Sequence, residues 1–422
     1  MTAVAEGGGA AATRTAVPLP SYALFAAMLA MAGLPIYIHA PKFYVDSYGV
    51  GLSALGAVLF VLRLLDVVQD PLLGWVAQAT VARRRLAVTI GGVAIALSMV
   101  GLFAVTPPVA PLLWFALTLT VLFSAFSFLT ICFYAQGVRT AERLGADGHV
   151  RLAGWREAGA LLGVCLAAVL PVGLLVVSDD GFGVFALLFA GLVVLAFLLM
   201  RHEWGGVAPP ASGASDFRTV LRDEESRRLL LIALLNATPV AVSSTLFLFF
   251  VESRLEAPGW EGPLLLLFFL SAAVAAPVWA RLARRFGIKP VLLTGMVLAV
   301  VAFVFTAFLG AGDAPAFALV CIASGAALGA DMTLIAALFA RRLSRLIPEA
   351  AAGFGLYAFV TKVSLAVAAA TLLPALEWQG FVPGGENDIR ALMTLTVLYA
   401  LVPCGLKLAA IYLLVRTPVD ED

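Results

Sequence analysis

The sequence is poor in charged residues, histidine and cysteine, and each shortage excludes a class of protein. Only 13% of its 422 residues are charged, about half the share of ordinary soluble domains, which excludes a water-soluble globular protein. The net charge of +1 gives no electrostatic basis for a nucleic-acid partner. Four cysteines without paired spacing and three scattered histidines indicate neither a disulfide framework nor a metal site. Because no nucleophile with a base and no phosphate-binding loop is present, we expect no enzyme and no cofactor.

Apolar residues are abundant instead, at 62% of the chain. They fall in blocks of about twenty residues, the length at which a helix crosses the hydrocarbon core of a membrane. The sequence therefore predicts an all-α membrane protein with twelve transmembrane helices. The predicted spans are 20–40, 50–78, 86–105, 112–136, 152–177, 183–201, 228–252, 263–280, 290–310, 317–340, 352–376 and 390–416.

The basic residues between these spans lie mostly on one side of the membrane. That side carries Arg14, Arg83 to Arg85, the segments 139–156, 201–228, 281–289 and 341–345, and Arg416. The other side keeps Lys42, Arg254 and Arg390 among acids. By the positive-inside rule both termini are predicted to be cytoplasmic, in a multi-pass protein of a cell membrane, with a bacterial inner membrane expected.

A long polar interruption divides the spans six and six. The predicted organisation is a disordered tail 1–19, a six-helix bundle 20–201, a central loop 202–227, a second bundle 228–416 and a tail 417–422. The end of the central loop, DFRTVLRDEESRR, is predicted to be a short surface helix. Asp70-Pro71 near the end of the second helix is echoed by Ala276-Pro277 in the eighth. Two pseudo-symmetric six-helix halves are typical of the major facilitator fold, in which a substrate binds between halves that rock about it.

Six ionisable residues lie inside predicted helices, where an unpaired charge is costly and marks a functional site by default. They are Arg63, Asp66, Asp70, Asp331, Lys362 and Lys407. Three acids and three bases could also simply neutralise one another in a polar interior. Lys407 has a second alternative, since its side chain could extend to the membrane surface. For Asp331 a structural and a functional role are equally open.

The second helix concentrates two of these acids on one face. At about 100° per residue, Arg63, Asp66 and Asp70 share one arc, with Gln69 at its edge. Two carboxylates and an amide oxygen suit a hard cation such as Na⁺, or can hold a proton. A nearby lysine could occupy this site when the cation is absent, and such competition would couple two binding events. The alternative is an inert bend, with an Arg63–Asp66 ion pair and Asp70 capping a helix break before Pro71.

Several segments resemble the glycoside-pentoside-hexuronide:cation symporters. The run from Arg63 to Gly74 resembles the second-helix signature of that family, and Arg151 to Glu157 resembles the start of its fifth helix. Four further positions match the family. They are the run LFLFFVE that ends at Glu252, the run from Leu328 to Asp331, the single residue Lys362, and the run from Leu398 to Lys407. The resemblance covers nearly all of the chain after residue 45.

The resemblance implies roles for individual residues. Asp66 and Asp70 would bind the cation, with Gln69 as the amide ligand and Ser127 as the hydroxyl ligand. Lys362 and Arg63 would take part in coupling. In the family, acids on helices one and four bind the sugar, and here both are absent, with Thr130 at the helix-four position. Tyr134 stands where a stacking Trp is expected. Arg156 and Asp331 complete the predicted substrate-binding set.

The function expected from these features is a secondary active transporter that works by alternating access. The leading prediction is a Na⁺- or H⁺-coupled symporter of a small polar solute, with a glycoside or other sugar as the cargo class, acting as a monomer in the lipid bilayer. A cation-coupled transporter of a lysolipid or other amphipathic solute is the alternative, with Phe126, Phe128 and Phe133 either lining its path or only packing. A proton-coupled exporter stays open, because transport direction is not encoded in a cluster of charges.

Overall fold

The structure, a computed structural model, describes residues 19–175, 177–205, 217–346, 350–381 and 387–418. These residues form fifteen α-helices joined by short turns. The helices are α1 Leu19–Met31, α2 Leu34–Tyr48, α3 Leu52–Ala79, α4 Arg84–Phe103, α5 Pro111–Arg143, α6 Gly148–Leu174, α7 Gly181–Met200, α8 Phe217–Arg222, α9 Glu224–Phe249, α10 Glu261–Phe286, α11 Ile288–Val304, α12 Ala314–Leu346, α13 Ala351–Trp378, α14 Ile389–Thr396 and α15 Val402–Arg416.

These helices account for twelve crossings. Within the described ranges, nine segments are long and apolar enough to cross a membrane by length and composition. One of these nine is the last crossing, which α14 and α15 form together. The other three crossings are α1 with α2 as one, α3 as another, and α13 as the third. Most of the predicted tail 1–19, part of the predicted central loop 202–227 and most of the predicted tail 417–422 lie outside the described residues. The predicted domain boundaries therefore stay predictions.

The first crossing is broken, where the sequence predicts one helix over 20–40. α1 ends at Met31, and α2 begins at Leu34 and continues to Tyr48. Gly33 precedes α2 and Pro35 lies in its first turn. Proline has no amide hydrogen to donate to the preceding turn, so it is favoured where a helix starts and interrupts one that continues through it. The last crossing contains a π-helical turn, Val397–Leu401, just before Pro403, because Pro403 also has no amide hydrogen to donate to the preceding turn.

The second crossing does not break at Pro71. α3 runs without interruption from Leu52 to Ala79 with Pro71 inside it. The alternative in which Asp70 caps a helix break is therefore wrong, and its side chain is available for other contacts.

The predicted surface helix is shorter than expected. α8 covers only Phe217–Arg222, because Asp223 starts the next helix by accepting a hydrogen bond from the Ser226 amide at 2.8 Å. Arg342, near the end of α12, donates to the same carboxylate and also pairs with Glu225 at 2.7 Å. The hydrogen bond from Arg342 lowers the pKa of Asp223 to about 2.

The two halves approach each other closely on the side where α3 ends and α6 begins. We call this the basic side, because Arg83, Arg84 and Arg85 lie there. A Cβ on Gly74 of α3 would lie 3.2 Å from the Cα of Gly355 on α13. A Cβ on Gly154 of α6 would lie 2.6 Å from the Cβ of Ala280 on α10. Glycine at these positions lets the backbones of opposite halves touch, so the basic side is closed in this conformation.

Candidate cation and substrate sites

Lys362 of α13 reaches across the interface between the halves into the predicted cation site. Its Nζ donates to Asp70 Oδ1 at 3.1 Å and to Ser127 Oγ at 2.8 Å. Nζ also lies 3.0 Å from Asp70 Oδ2, but at an angle that leaves this oxygen without a hydrogen bond. The distance from Nζ to Asp66 Oδ1 is 3.8 Å. Asp70 is fully buried, so the ammonium supplies the positive charge that its carboxylate needs.

A second layer of hydrogen bonds holds Asp66 in place. Gln69 donates through Nε2 to Asp66 Oδ1 at 2.9 Å, and its Oε1 accepts from Ser124 Oγ at 2.9 Å. Ser124 lies on α5 one turn before Ser127, so both hydroxyls face α3. Gln69 therefore orients Asp66, and its amide oxygen is engaged by Ser124 in this conformation.

The chemistry of this site fits a single positive charge. Two carboxylates and a hydroxyl surround the ammonium, and hard oxygen ligands of this kind bind Na⁺ or, through a carboxylate, a proton. The Lys362 ammonium stands where such a cation would make its contacts. Among the described residues no group of three or more His, Cys, Asp or Glu side chains could hold a metal ion. The side chain of Arg63 lies outside the described part of the chain, and its coupling role stays a prediction.

The predicted substrate residues of the first half form a separate cluster. The Arg156 guanidinium covers the Tyr134 ring, with Cζ 3.7 Å from the ring centroid. Both side chains bind Glu157 Oε1, the Tyr134 hydroxyl at 3.0 Å and Arg156 Nε at 2.9 Å. Arg156 Nη2 and Thr130 Oγ1 are buried without a hydrogen-bond partner. These two polar atoms are the groups that a bound solute could satisfy.

Asp331 belongs to a third cluster, built inside the second half. Its Oδ2 accepts a hydrogen bond from Lys407 Nζ, which also donates to Asn236 Oδ1 at 2.6 Å. Asp331 Oδ1 is buried without a partner. The alternative in which Lys407 extends to the membrane surface is wrong, because this side chain is only 5% exposed. Asp331 is buried, and an unpaired charge there is costly, so its carboxylate keeps the lysine ammonium in the interior.

A cavity of about 60 Å³ adjoins this third cluster. Its polar lining residues are Asp331, Lys407, Ser243 and Ser324, and the other lining residues are mostly apolar. The phenylalanines of α5 do not line this cavity. Phe133 is buried against Tyr22 and Phe25, and Phe126 and Phe128 pack against the core of the first half. For these three residues the packing alternative is supported.

The structure thus brings Asp66, Asp70, Ser127 and Lys362 together and places Asp331 in a different cluster. Three participants were missed from the sequence: Ser124, Glu157 and Asn236. Ser124 could have been found from its position one turn before Ser127, and Glu157 from its place beside Arg156. Asn236 had no comparable signal, since a single amide in an apolar helix does not indicate which charge it meets.

The comparisons with known proteins agree on the class of protein. The family model described as "MFS/sugar transport protein" matches residues 20–421. The curated inner membrane symporter YicJ of Escherichia coli (strain K12) is 26% identical over 239 residues, 53% of this chain and 51% of that protein. The match therefore spans about half the length of this curated relative.

Solved structures share the fold over nearly the whole chain. A bacterial homologue of the iron transporter ferroportin, in an outward-facing state, matches with a TM-score of 0.69 and 15% identity over 95% of this chain and 99% of that chain. A variant of the E. coli fucose:proton symporter FucP matches with a TM-score of 0.66 and 14% identity over 93% and 98% of the two chains. These likenesses confirm the predicted twelve-helix major facilitator fold.

The family match and the fold together also confirm that the chain is a multi-pass membrane transporter and not an enzyme. The resemblance to the glycoside-pentoside-hexuronide:cation symporters is confirmed with them. The chain belongs to the MFS/sugar transport protein family of the major facilitator superfamily.

Proposed function

We propose that the protein is a cation-coupled symporter of a small polar solute and that it works by alternating access. The observation that carries this proposal is the Lys362 ammonium bound to Asp70 and Ser127, because the lysine comes from one half and its partners from the other. A cation that enters the Asp66/Asp70 site competes with the ammonium for the same oxygens. Occupancy of the site and contact between the halves are then linked.

The coupling ion is Na⁺ or H⁺ in this proposal. Either one neutralises Asp70 when Lys362 leaves, and removing a buried charge's partner without replacement costs about 3–5 kcal/mol. The lysine is therefore released at low cost only when the cation is present. This is the physical condition for coupled rather than independent movement of the two halves.

The proposed cargo is a polyhydroxylated solute such as a glycoside. Thr130 Oγ1 and Arg156 Nη2, both buried and unpartnered, can bind its hydroxyl groups. Tyr134 would contact the solute through its ring edge, since Arg156 covers one ring face. YicJ and FucP are named as symporters, FucP for fucose and protons, which supports the same class of function here.

Thermal unfolding of the purified protein tests this proposal. The midpoint would be measured in NaCl and in choline chloride at equal ionic strength, with panels of sugars and lysolipids. A ligand at a hundred times its dissociation constant stabilises the native state by about 2.7 kcal/mol. We expect stabilisation by the cation, further stabilisation by a sugar, and loss of both in Asp70→Asn. Asp179→Asn makes the same chemical change at an exposed acid and should behave like the wild type.

Two other outcomes are informative. Stabilisation by lower pH instead of Na⁺, again lost in Asp70→Asn, would identify the proton as the coupling ion. An unchanged cation response in Asp70→Asn would contradict the proposed site.

An amphipathic cargo is the second candidate, and the cavity of the second half favours it. Its lining is mostly apolar and includes Asp331 and Lys407, the chemistry of an alkyl chain next to a charged headgroup. At about 60 Å³ the cavity would have to widen to hold such a solute. Stabilisation by lysolipid and by no sugar would support this candidate over the first.

For the orientation in the membrane we propose cytoplasmic termini and a location in the bacterial inner membrane, with a monomer as the working unit. The concentration of arginine on the basic side supports this orientation. Labelling of a cysteine introduced at the exposed Pro418 by a membrane-impermeant reagent tests it, since only inside-out vesicles should react.

A further inference from the structure

A pocket between the two halves on the basic side is lined by three arginines. It lies between α6 and α10 and has a volume of about 400 Å³. α6 contributes Arg151 and Trp155, and α10 contributes Arg281 and Arg284. The pocket adjoins the close contact between the two helices, so it exists as one site only while the halves are closed at this side.

These arginines differ from other arginines of the basic side. Arg143 pairs with Glu203, and Arg342 pairs with Asp223 and Glu225. In the part of the chain that the structure describes, Arg151, Arg281 and Arg284 form no ion pair with a carboxylate. Three guanidinium groups around one pocket repel each other, and an anion bound between them would relieve this repulsion.

The surroundings of the pocket indicate where this anion comes from. Trp155 is 46% exposed and lies two turns into α6, while Arg284 lies close to the end of α10. Tryptophan and arginine at the ends of transmembrane helices are typical of the level of the lipid headgroups. Leu162 and Val274 lie seven residues from Trp155 and Arg281, on the same helix faces and toward the membrane centre, and both are exposed. An apolar surface thus continues from the arginines along the path of acyl chains.

We propose that this pocket binds the headgroup of an anionic phospholipid, with the phosphate between the arginines and the acyl chains along Leu162 and Val274. Basic pockets between transmembrane helices are suited to such headgroups. Because the arginines come from both halves, a bound headgroup favours the conformation in which α6 and α10 touch. This inference does not depend on the identity of the cargo or of the coupling ion.

Quenching of Trp155 by brominated lipids tests the proposal. The protein would be placed in phosphatidylcholine nanodiscs that contain increasing fractions of brominated phosphatidylglycerol or brominated phosphatidylcholine. The difference in fluorescence between the wild type and Trp155→Phe isolates the signal at the pocket. We expect a strong preference for phosphatidylglycerol, and Arg284→Gln should reduce this preference about fivefold. Arg281→Gln should have an effect of the same size.

Arg285→Gln is the matched control, because Arg285 is the neighbour of Arg284 but does not line the pocket and lies over the Phe286 ring. It should keep the wild-type preference. Equal quenching by the two lipids in the wild type would overturn the proposal, as would equal losses in Arg284→Gln and Arg285→Gln. If excess inorganic phosphate abolished the preference for phosphatidylglycerol, the ligand would be a soluble anion and the lipid assignment would be wrong.

Discussion

Two lysines lie inside the membrane part of this transporter, and their surroundings differ in one decisive respect. Lys362 joins the two halves, since it extends from α13 to Asp70 on α3 and Ser127 on α5. Lys407 stays within the second half, where it binds Asp331 and Asn236. Its side chain is 5% exposed, against 20% for Lys362.

The Lys362 contact can couple cation binding to the movement of the halves, whereas the Lys407 contact can only stabilise the second half. Relative movement of the halves must break or rearrange the Lys362–Asp70 pair. The same movement leaves the Lys407–Asp331 pair intact, because both residues move with the same half. We therefore expect cation dependence to follow Lys362 and the stability of the second half to follow Lys407.

The largest expected effect is the loss of stability in Lys407→Ala. This change leaves the buried Asp331 carboxylate without a counter-charge, which costs about 3–5 kcal/mol. Thermal unfolding in detergent measures it. Adding Asp331→Asn to Lys407→Ala should recover much of the loss, because the uncompensated charge is then gone. The comparison with Lys362→Ala is made at saturating cation, which replaces the lost charge beside Asp70. If Lys407→Ala were no less stable than Lys362→Ala under that condition, the distinction between the two lysines would fail.

The next effect is a change of coupling in Lys362→Ala. Transport should become uncoupled or inactive, while the cation binds more tightly because the competing ammonium is absent. Solute flux with and without a cation gradient in vesicles, together with the cation affinity, checks both parts. Unchanged cation dependence would instead indicate that Lys362 forms only a structural ion pair.

A smaller effect is expected at the proposed solute site. Thr130→Val keeps the shape of the side chain but removes the unpartnered hydroxyl, and the loss of one hydrogen bond of about 1 kcal/mol corresponds to roughly fivefold weaker solute binding. The cation affinity should not change. A larger loss of cation affinity than of solute affinity would place the solute elsewhere.

The smallest effect concerns the Asp223–Arg342 pair at the basic side. The pKa of Asp223 is lowered from 3.8 to about 2 by the hydrogen bond from Arg342. Because the folded-state pKa is lowered, the ionised Asp223 stabilises the folded state at any pH above the ordinary pKa of 3.8. This contribution is lost as the pH falls from 3.8 toward 2. Asp223→Asn keeps a helix cap but removes the charge, so its unfolding midpoint should lie slightly below that of the wild type at pH 7. If the difference between the unfolding midpoints of the wild type and Asp223→Asn did not shrink at acid pH, this explanation would be contradicted.

The sequence could predict one face of the proposed cation site but not the whole arrangement. Helical periodicity places Asp66 and Asp70 on one side of α3 because the spacing alone determines it. The resemblance to a family added Ser127 and Lys362. Periodicity does not determine which helix lies opposite, and for this reason the pairing of Lys407 with Asp331 was not foreseen.

Local chemistry explains the remaining differences. Span prediction relies on apolar content, and the segment around Gly33 and Pro35 is apolar throughout, so its break was missed although both residues favour one. The contact of Arg156 with the ring of Tyr134 depends on side-chain rotation as well as on sequence. Twelve helices in two halves were predictable, because hydrophobic length and charge asymmetry are properties of the sequence itself.

Competition between a cation and the Lys362 ammonium for Asp70 is the basis of the proposed coupling. Calorimetric titration of the purified protein with NaCl tests this competition most directly, with the wild type, Lys362→Ala and Asp70→Asn compared at constant pH and ionic strength. With Na⁺ as the coupling ion we expect binding in the wild type, tighter binding in Lys362→Ala and none in Asp70→Asn; with H⁺ as the coupling ion the same order is expected for proton uptake in a pH titration. Equal binding of the coupling ion by Asp70→Asn and the wild type would contradict the proposed competition.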